Sequence, residues 1–459
     1  MIEGIPIIIA ALMPKLATAL IAVGTFVPML IVLVVIHEFG HFFTAKAFGV
    51  KVLEFGIGYP PKAFGFYTGN TTVLLNQETQ FVNLSGPEAL ARGRLVKVSS
   101  SQDTSGNLVA QVIEAPQSGS KAKGPQSLQD LGKDEYLNHE GKVREVSSNS
   151  IILADMLYSV NWTPLGGFVK LAGESNPAVP KSLASKGIGP RAIVLAAGSF
   201  MNAVLPILFF TILFMLPHDV PVGDTGDVTV VDVAAGSAAE AAGVQPGDII
   251  IRADGIGVAR TADLADVVQQ SEGSPMEWLV TRGYGQKVIQ VTPQFDATGN
   301  RWLAGVSMQL TNVPMERRSE APWTAVGLAF TNTWNLLGLL KQEVSGWISG
   351  DSAPQLSGPI GIARITGQLT LDLGFQGWML LAALFSINLA ILNILPIPML
   401  DGGRLLFVGI EWVRRGKKVS PEREGLVHLI GFIMLISLII LISANDISQI
   451  IQGVDPLGR

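Results

Sequence analysis

Four stretches of this chain are long and apolar enough to cross a lipid bilayer, and no other feature of the sequence constrains its fold as tightly. About 20 apolar residues, rising 1.5 Å each, cover a hydrocarbon core of roughly 30 Å. Leu16 to Ile36, Ala192 to Leu216, Gln376 to about Leu400 and Val427 to Ser443 reach or approach that length, the third being the least pure. Hydrocarbon offers backbone groups no water, so each stretch is expected to be a helix that pairs its own N–H and C=O groups. Of the 459 residues, 48% are apolar and only 15% charged, a balance that suits a membrane chain carrying soluble parts. The formal net charge of −5 points to no nucleic-acid partner. The opening MIEGIPIII lacks the basic head and small-residue cleavage site of a signal peptide.

Lys and Arg gather on the cytoplasmic side of membrane spans. Lys46, Lys51 and Lys62 follow the first span, and Lys170, Lys181, Lys186 and Arg191 precede the second. Arg404, Arg414, Arg415, Lys417, Lys418 and Arg423 lie between the third and fourth, whereas HDVPVGDTGDV after the second has neither residue type. Loops 44–191 and 401–426 are therefore expected in the cytoplasm and residues 217–375 outside, with Arg317, Arg318 and Lys341 running against the rule. HEFGH, which closes the first span, and LDGG, which closes the third, then fall on the same side.

Six regions follow: 1–68, the first span with HEFGH and the start of a hairpin; 69–156, a polar β-rich insert; 157–218, a second hairpin strand and the second span; 219–312, a small domain with a trailing strand; 313–375, an interfacial helix and a GPIG segment; and 376–459, the last two spans with LDGG. The insert shows short alternating runs such as LVAQVIEA, with nothing to set it apart from a tolerated surface insertion. In the 219–312 region, VTVVDV reads as a strand, SAAEAAG as a short helix ending at Gly243, TADLADVVQQS as an amphipathic helix, and MEWLVTR and KVIQVTP as further strands. Together with GSAAEAAGVQPGDIIIRADG this resembles a single PDZ domain, a fold that takes extended peptides at a strand edge; the competing reading is a steric filter without a ligand. Trp323 to Ser349 is a helical pattern broken by Asn332, Asn335 and Lys341, expected to lie at the interface rather than to span.

HEFGH puts His37 and His41 one turn apart on a single helix face, a spacing that holds one zinc ion, with Glu38 beside them to activate water. The chain has no cysteine and five histidines, so thiolate sites and disulfides are excluded. Catalytic zinc takes three protein ligands, and the third is sought among acidic groups at the same membrane depth. NILPIPMLDGG ends the third span: Pro396 and Pro398 interrupt the helix, Gly402 and Gly403 permit a sharp turn, and Asp401 sits between them. Alone, Asp401 is an ordinary turn residue; beside HEFGH, the ligand reading prevails. Asn202 in GSFMN and Asn388 in the third span are polar groups that either line a water path or bond across helices. His139, His218 and His428 have no motif partner and receive no role.

HEFGH paired with NILPIPMLDGG, together with FGIGYPPKAFGF, TPLGGFVKLAGES, GSFMN and LSGPIGIARI, resembles the site-2 protease family, in particular its bacterial members with PDZ domains that act in regulated intramembrane proteolysis. The resemblance covers about residues 22–67 and 157–443. It implies a polytopic α-helical membrane protein of about four spans with a membrane-associated β-hairpin. It further implies zinc on His37, His41 and Asp401, Glu38 as the water-activating base, and Asn393 near metal or substrate. FGIGYPPKAFGF and TPLGGFVKLAGES would then form a sheet whose free edge pairs with an unwound substrate, with turns at Gly56 and Gly58. Expected substrates are single-pass membrane proteins already cut outside, in a bacterial inner membrane, with the active site toward the cytoplasm and the PDZ domain outward. A single PDZ domain, Ser199 where the family motif has Pro, and the large insert depart from the pattern. The rival readings are a transporter or proton relay through His37, Glu38 and Asp401, and a catalytically silent PDZ scaffold.

Overall fold

A computed structural model describes residues 5–116, 136–283, 285–296, 300–350 and 357–452. The chain divides into two compact units, one of residues 1–213 and 322–459, the other of residues 214–321. Four helices of the first unit are long and apolar enough to cross a membrane: α1 (Ile5–Ala47), α2 (Ile188–Met215), α6 (Pro359–Ile394) and α8 (Pro421–Gln452). The first does not stop where its apolar run ends. Helix α1 continues through HEFGH to Ala47, so the motif is presented from regular helix, the geometry that its i, i+4 spacing requires. Helix α6 starts at Pro359, where a missing N–H costs nothing, kinks at Gly374 and ends at Ile394 ahead of Pro396, as expected where the ring disfavours helix in the residue before it.

Asp401 proves to be the first residue of a short helix, α7 (Asp401–Val413), rather than part of the irregular segment itself. The sharp turn falls at Met399, with φ +80°, not at the glycine pair. Gly402 serves close packing instead: a Cβ there would lie 2.0 Å from the Leu395 carbonyl oxygen. Helix α5 (Pro322–Ser349) carries exposed Trp323, Phe330 and Trp334 and is not among the four spanning candidates.

Strands β1 (Val52–Thr68) and β8 (Met156–Leu171) pair with one another over almost their whole length. The register runs from Val52↔Leu171 to Ile57↔Gly167, from Glu54↔Leu157 to Ile57↔Val160, and from Lys62↔Asn161 to Thr68↔Met156. Each long strand therefore doubles back, and residues 167–171 form one edge of the resulting sheet. Phe55 and Tyr158 pack on Phe42 of α1, which fixes the two inner strands of the sheet against the helix that carries HEFGH.

Between them the insert folds as β2 (Thr71–Leu74), β3 (Gln80–Val82), β4 (Leu95–Gln102), β5 (Leu108–Glu114), β6 (Leu137–Val146) and β7 (Ser150–Ala154). Their order is β2-β7-β6-β4-β5-β3, and β2 also pairs with β5, which closes the sheet into a small barrel. Val73, Val96, Val98, Leu108, Ile113, Leu137, Ile151 and Leu153 fill it. What reads as a polar insert thus has a core of its own, because alternation sends every second residue inward.

In the second unit, β10 (Asp227–Val233), β11 (Ile249–Ala253), β13 (Met276–Arg282), β14 (Gly285–Val291) and β17 (Val306–Thr311) run in the order β14-β13-β11-β10-β17, and β12 (Ile256–Gly257) pairs with β11. Smaller pairs join β9 (His218–Pro221) to β18 (Met315–Arg318) and β15 (Gln294–Asp296) to β16 (Arg301–Leu303). Helices α3 (Ala238–Ala242), capped by Ser237 and closed by left-handed Gly243, and α4 (Thr261–Gln270) complete it. Its core centres on Val228, Ile250, Leu264 and Trp278. Buried Asp248 accepts two bonds from Arg282 at 2.7 Å each. This is the expected PDZ arrangement, with β17 at the sheet edge beside α4.

Candidate metal centre

His37 and His41 project from one face of α1 toward the N-terminus of α7. His37 Nε2 lies 3.2 Å from His41 Nε2, and Asp401 Oδ2 lies 3.0 and 3.1 Å from the two nitrogens. Donors about 2.0 Å from an ion at tetrahedral angles stand roughly 3.3 Å apart, so this near-equilateral triangle has the size of one face of a zinc site. The side chains are only 9%, 12% and 22% exposed.

The outer nitrogens decide what the inner ones can do. His41 Nδ1 donates to the Val194 carbonyl of α2 at 2.8 Å, leaving the lone pair of Nε2 to face the triangle. His37 Nδ1 lies 3.3 Å from the amide of Asn202, whose Oδ1 is buried without a hydrogen-bond partner. The nitrogen and oxygen of an amide exchange by a half-turn. With the oxygen toward His37, Asn202 accepts the Nδ1 proton, the orphaned acceptor is satisfied, and the Nε2 lone pair of His37 also points inward. Three electron pairs then converge with no proton among them, an arrangement that a cation stabilises and that is repulsive without one. The donor set fits zinc. Gly198 of α2 completes the cradle, since a Cβ there would stand 2.4 Å from His41 Nε2 and 2.5 Å from His37 Nε2.

A cavity of about 400 Å³ opens beside the triangle, lined by Glu38, His41, Tyr59, Phe168, Asp401 and Arg404. Gly167 lies against the Glu38 side chain, where a Cβ would stand 3.6 Å from Glu38 Cγ, so the sheet edge runs past the carboxylate. Arg404 and Glu174, which also line the cavity, pair at 2.6 Å.

The family model of "Peptidase family M50" matches residues 25–84 and 142–438. The chain belongs to peptidase family M50. Zinc metalloprotease RasP of Oceanobacillus iheyensis is 31% identical over 438 residues, covering 93% of this chain and 99% of its own. Regulator of sigma-W protease RasP of Bacillus subtilis is 31% identical over 428 residues, covering 91% and 96%. This M50 chain is a zinc metalloprotease and a membrane protein. A model named "Domain of unknown function (DUF5666)" matches residues 65–114, in the first part of the barrel. A solved PDZ domain of an SdrC-like protein from Listeria monocytogenes is 20% identical, covering 19% of this chain and 93% of that one at a TM-score of 0.17.

Of the residues selected from sequence, the structure brings His37, His41, Asp401 and Asn202 into one network, with Glu38 on the adjoining cavity. Asn202 bonds across helices, and it does so to a histidine of the triangle. The matching bond from α6 comes from Ser386, whose Oγ donates to the Asn202 carbonyl at 2.7 Å, rather than from Asn388. Gly56 and Gly58 belong to the β1–β8 sheet: Gly56 lies under the Phe168 ring, and Gly58 turns at φ +76°. Asn393 is half-buried near the end of α6 and, among the described residues, makes no hydrogen bond to the triangle. Three histidines without motif partners all have bonds: His139 to Ser100 and Asp155, His218 to the Leu216 carbonyl, and His428 to Met399. No periodicity or spacing announces these contacts, which link elements distant in sequence or sit in a local turn.

Proposed function

We propose that this metalloprotease hydrolyses peptide bonds in or beside the membrane-spanning segments of single-pass proteins, in the manner of regulated intramembrane proteolysis. His37, His41 and Asp401 hold the metal and Glu38 acts as general base and acid. The observation that carries this reading is the convergence of two imidazole nitrogens and a carboxylate oxygen within 3.2 Å of one another, next to a carboxylate that stands on a cavity at a sheet edge. When bound, zinc supplies Lewis acidity and brings the pKa of a water it holds to about 7.

Glu38 would take the proton of the attacking water as its oxygen adds to the scissile carbonyl, then deliver it to the amine nitrogen as the C–N bond breaks. Gly167, at the sheet edge, packs on the Glu38 side chain and keeps the carboxylate on the cavity. Substrate helices hide their peptide groups in their own hydrogen bonds, so the scissile segment has to unwind, and residues 167–171 offer it an edge on which to pair. Asn393 is assigned to substrate rather than metal. Asn202 orients His37. The M50 chain is placed in a bacterial plasma membrane with four spans, the metal centre toward the cytoplasm and the PDZ unit outside, as its Lys and Arg distribution indicates. Its PDZ unit takes an extended peptide along β17, where Leu264, Val268, Trp302, Ala304 and Met308 line a groove of about 330 Å³.

The test is cleavage of candidate single-pass proteins in proteoliposomes by wild type and by Glu38→Gln. The variant is expected to retain stoichiometric zinc and lose about 10²- to 10⁴-fold in kcat/KM. Full activity in Glu38→Gln would overturn the assignment.

A further inference from the structure

Asp401 reaches the triangle from a segment that its own residues hold poorly. Pro396 and Pro398 have no N–H to donate. Met399 sits at φ +80°, where a residue with a side chain is strained unless its surroundings hold it there. Helix α8, which contributes no ligand, supplies that hold from two residues on one face. His428 Nδ1 accepts the Met399 N–H at 2.8 Å. Gly431 lets α8 press directly on the preceding residue, since a Cβ there would lie 2.3 Å from Pro398 Cβ and 3.0 Å from the Pro398 oxygen. Phe407 of α7 packs 5.6 Å from the imidazole and holds the ring, while Nε2 is buried without a hydrogen-bond partner, 3.9 Å from Glu424.

We propose that His428 is a positioning residue for the metal centre. By accepting the Met399 N–H it holds the left-handed turn that delivers the Asp401 carboxylate to the two imidazoles. The last membrane helix thereby sets metal affinity without touching the metal. The alternative is that His428 merely satisfies a polar group between helices. That role would affect the stability of the bundle but leave the triangle intact. The sequence gives no hint of the role, because the bond ends on a backbone group and the partner is a methionine.

The inference rests on the triangle being the zinc site, so the experiment carries its own check on that reading. Zinc affinity is measured on the full-length purified chain by competition with a chromophoric chelator, and the absorption of the cobalt-substituted protein reports the geometry. Asp401→Asn is the control: if it binds zinc like wild type, the site reading fails, whatever His428 does. With the control behaving as expected, His428→Leu, which keeps bulk and loses the acceptor, is expected to bind zinc about 10-fold more weakly or worse, as for other outer partners of metal ligands, with an altered cobalt spectrum. His428→Asn, which can return an acceptor oxygen near Nδ1, is expected to recover most of both. Gly431→Ala pushes on Pro398 independently, is expected to weaken zinc binding in the same direction, and decides the matter should the leucine variant not accumulate. Wild-type affinity and spectrum in His428→Leu, equal deficits in the Leu and Asn variants, or unchanged affinity in Gly431→Ala would overturn the proposal.

Discussion

Two clusters in this chain join histidine to aspartate at hydrogen-bond distance, and they are built on opposite principles. At the α1–α7 junction, His37, His41 and Asp401 turn three acceptors toward one point while their outer protons go to Asn202 and Val194. In the barrel, Ser100 Oγ lies 3.0 Å from His139 Nε2, and His139 Nδ1 lies 2.6 Å from Asp155 Oδ2. The other oxygen of Asp155 accepts from Lys51 at 2.6 Å and Thr71 at 2.7 Å. The connectivity is that of a Ser-His-Asp hydrolase, but Ser100 and Asp155 are 0% exposed and each acceptor named has its donor. One cluster is left incomplete by its own residues and calls for an ion. The other is closed and serves as a bolt between the barrel and the start of β1. Proximity of histidine and carboxylate does not separate these roles; the balance of protons and lone pairs does.

The largest expected effects are complementary losses. Asp401→Asn should abolish stoichiometric zinc and proteolysis while leaving amide-exchange protection in β4 to β6 unchanged. Asp155→Ala should do the reverse, because Lys51, 13% exposed, loses its anionic partner; breaking a buried pair in this way costs about 3–5 kcal/mol. Zinc stoichiometry and exchange mass spectrometry on both variants check the pair, and loss of zinc in Asp155→Ala with the barrel protected would break the distinction. Acid sharpens it. Burial pushes the Asp155 carboxyl up, but the His139 bond and the Lys51 charge outweigh it and hold the carboxyl below its ordinary range. A carboxyl depressed in the folded state contributes stability that is complete above the unfolded value of about 3.9 and is lost as pH falls through the folded one. Barrel protection should therefore decline below about pH 4, and Asp155→Ala should flatten that decline.

A smaller effect isolates the outer partner of His37. Asn202→Leu leaves the Nδ1 proton unpaired and is expected to weaken zinc binding about 10- to 100-fold, with Asn202→Asp retaining an acceptor; equal affinity in wild type and Asn202→Leu would remove the orientation argument. How much of this was readable in advance follows from the same physics. HEFGH was legible because helix periodicity alone brings i and i+4 together. The four spans were legible because hydrocarbon permits so few backbone solutions. Asp401 needed HEFGH beside it, since an Asp before two glycines is otherwise a turn residue. The closed barrel was obscured because the β2–β5 pairing that seals it has no local signature. The roles of Asn202, His139 and His428 depend on partners far away in sequence or on backbone atoms, which composition and spacing do not encode.

The smallest effect tests the closed cluster most directly. Ser100→Ala removes one donor and leaves His139 Nε2 as a buried acceptor without its hydroxyl, at a cost of about 1–3 kcal/mol. The melting temperature should fall modestly, and zinc content and proteolysis should not change. Chemistry at this serine would require a substrate carbonyl to reach an oxygen with no accessible surface, so no ester or peptide turnover should depend on it. The sensitive version places Ser100→Ala in the Glu38→Gln background, where the metal centre is silenced and any residual hydrolysis stands out. If residual turnover vanished with the serine hydroxyl, the barrel would have to open far enough to admit substrate, and hydrogen-bond completeness could no longer be used to tell a structural histidine from a working one.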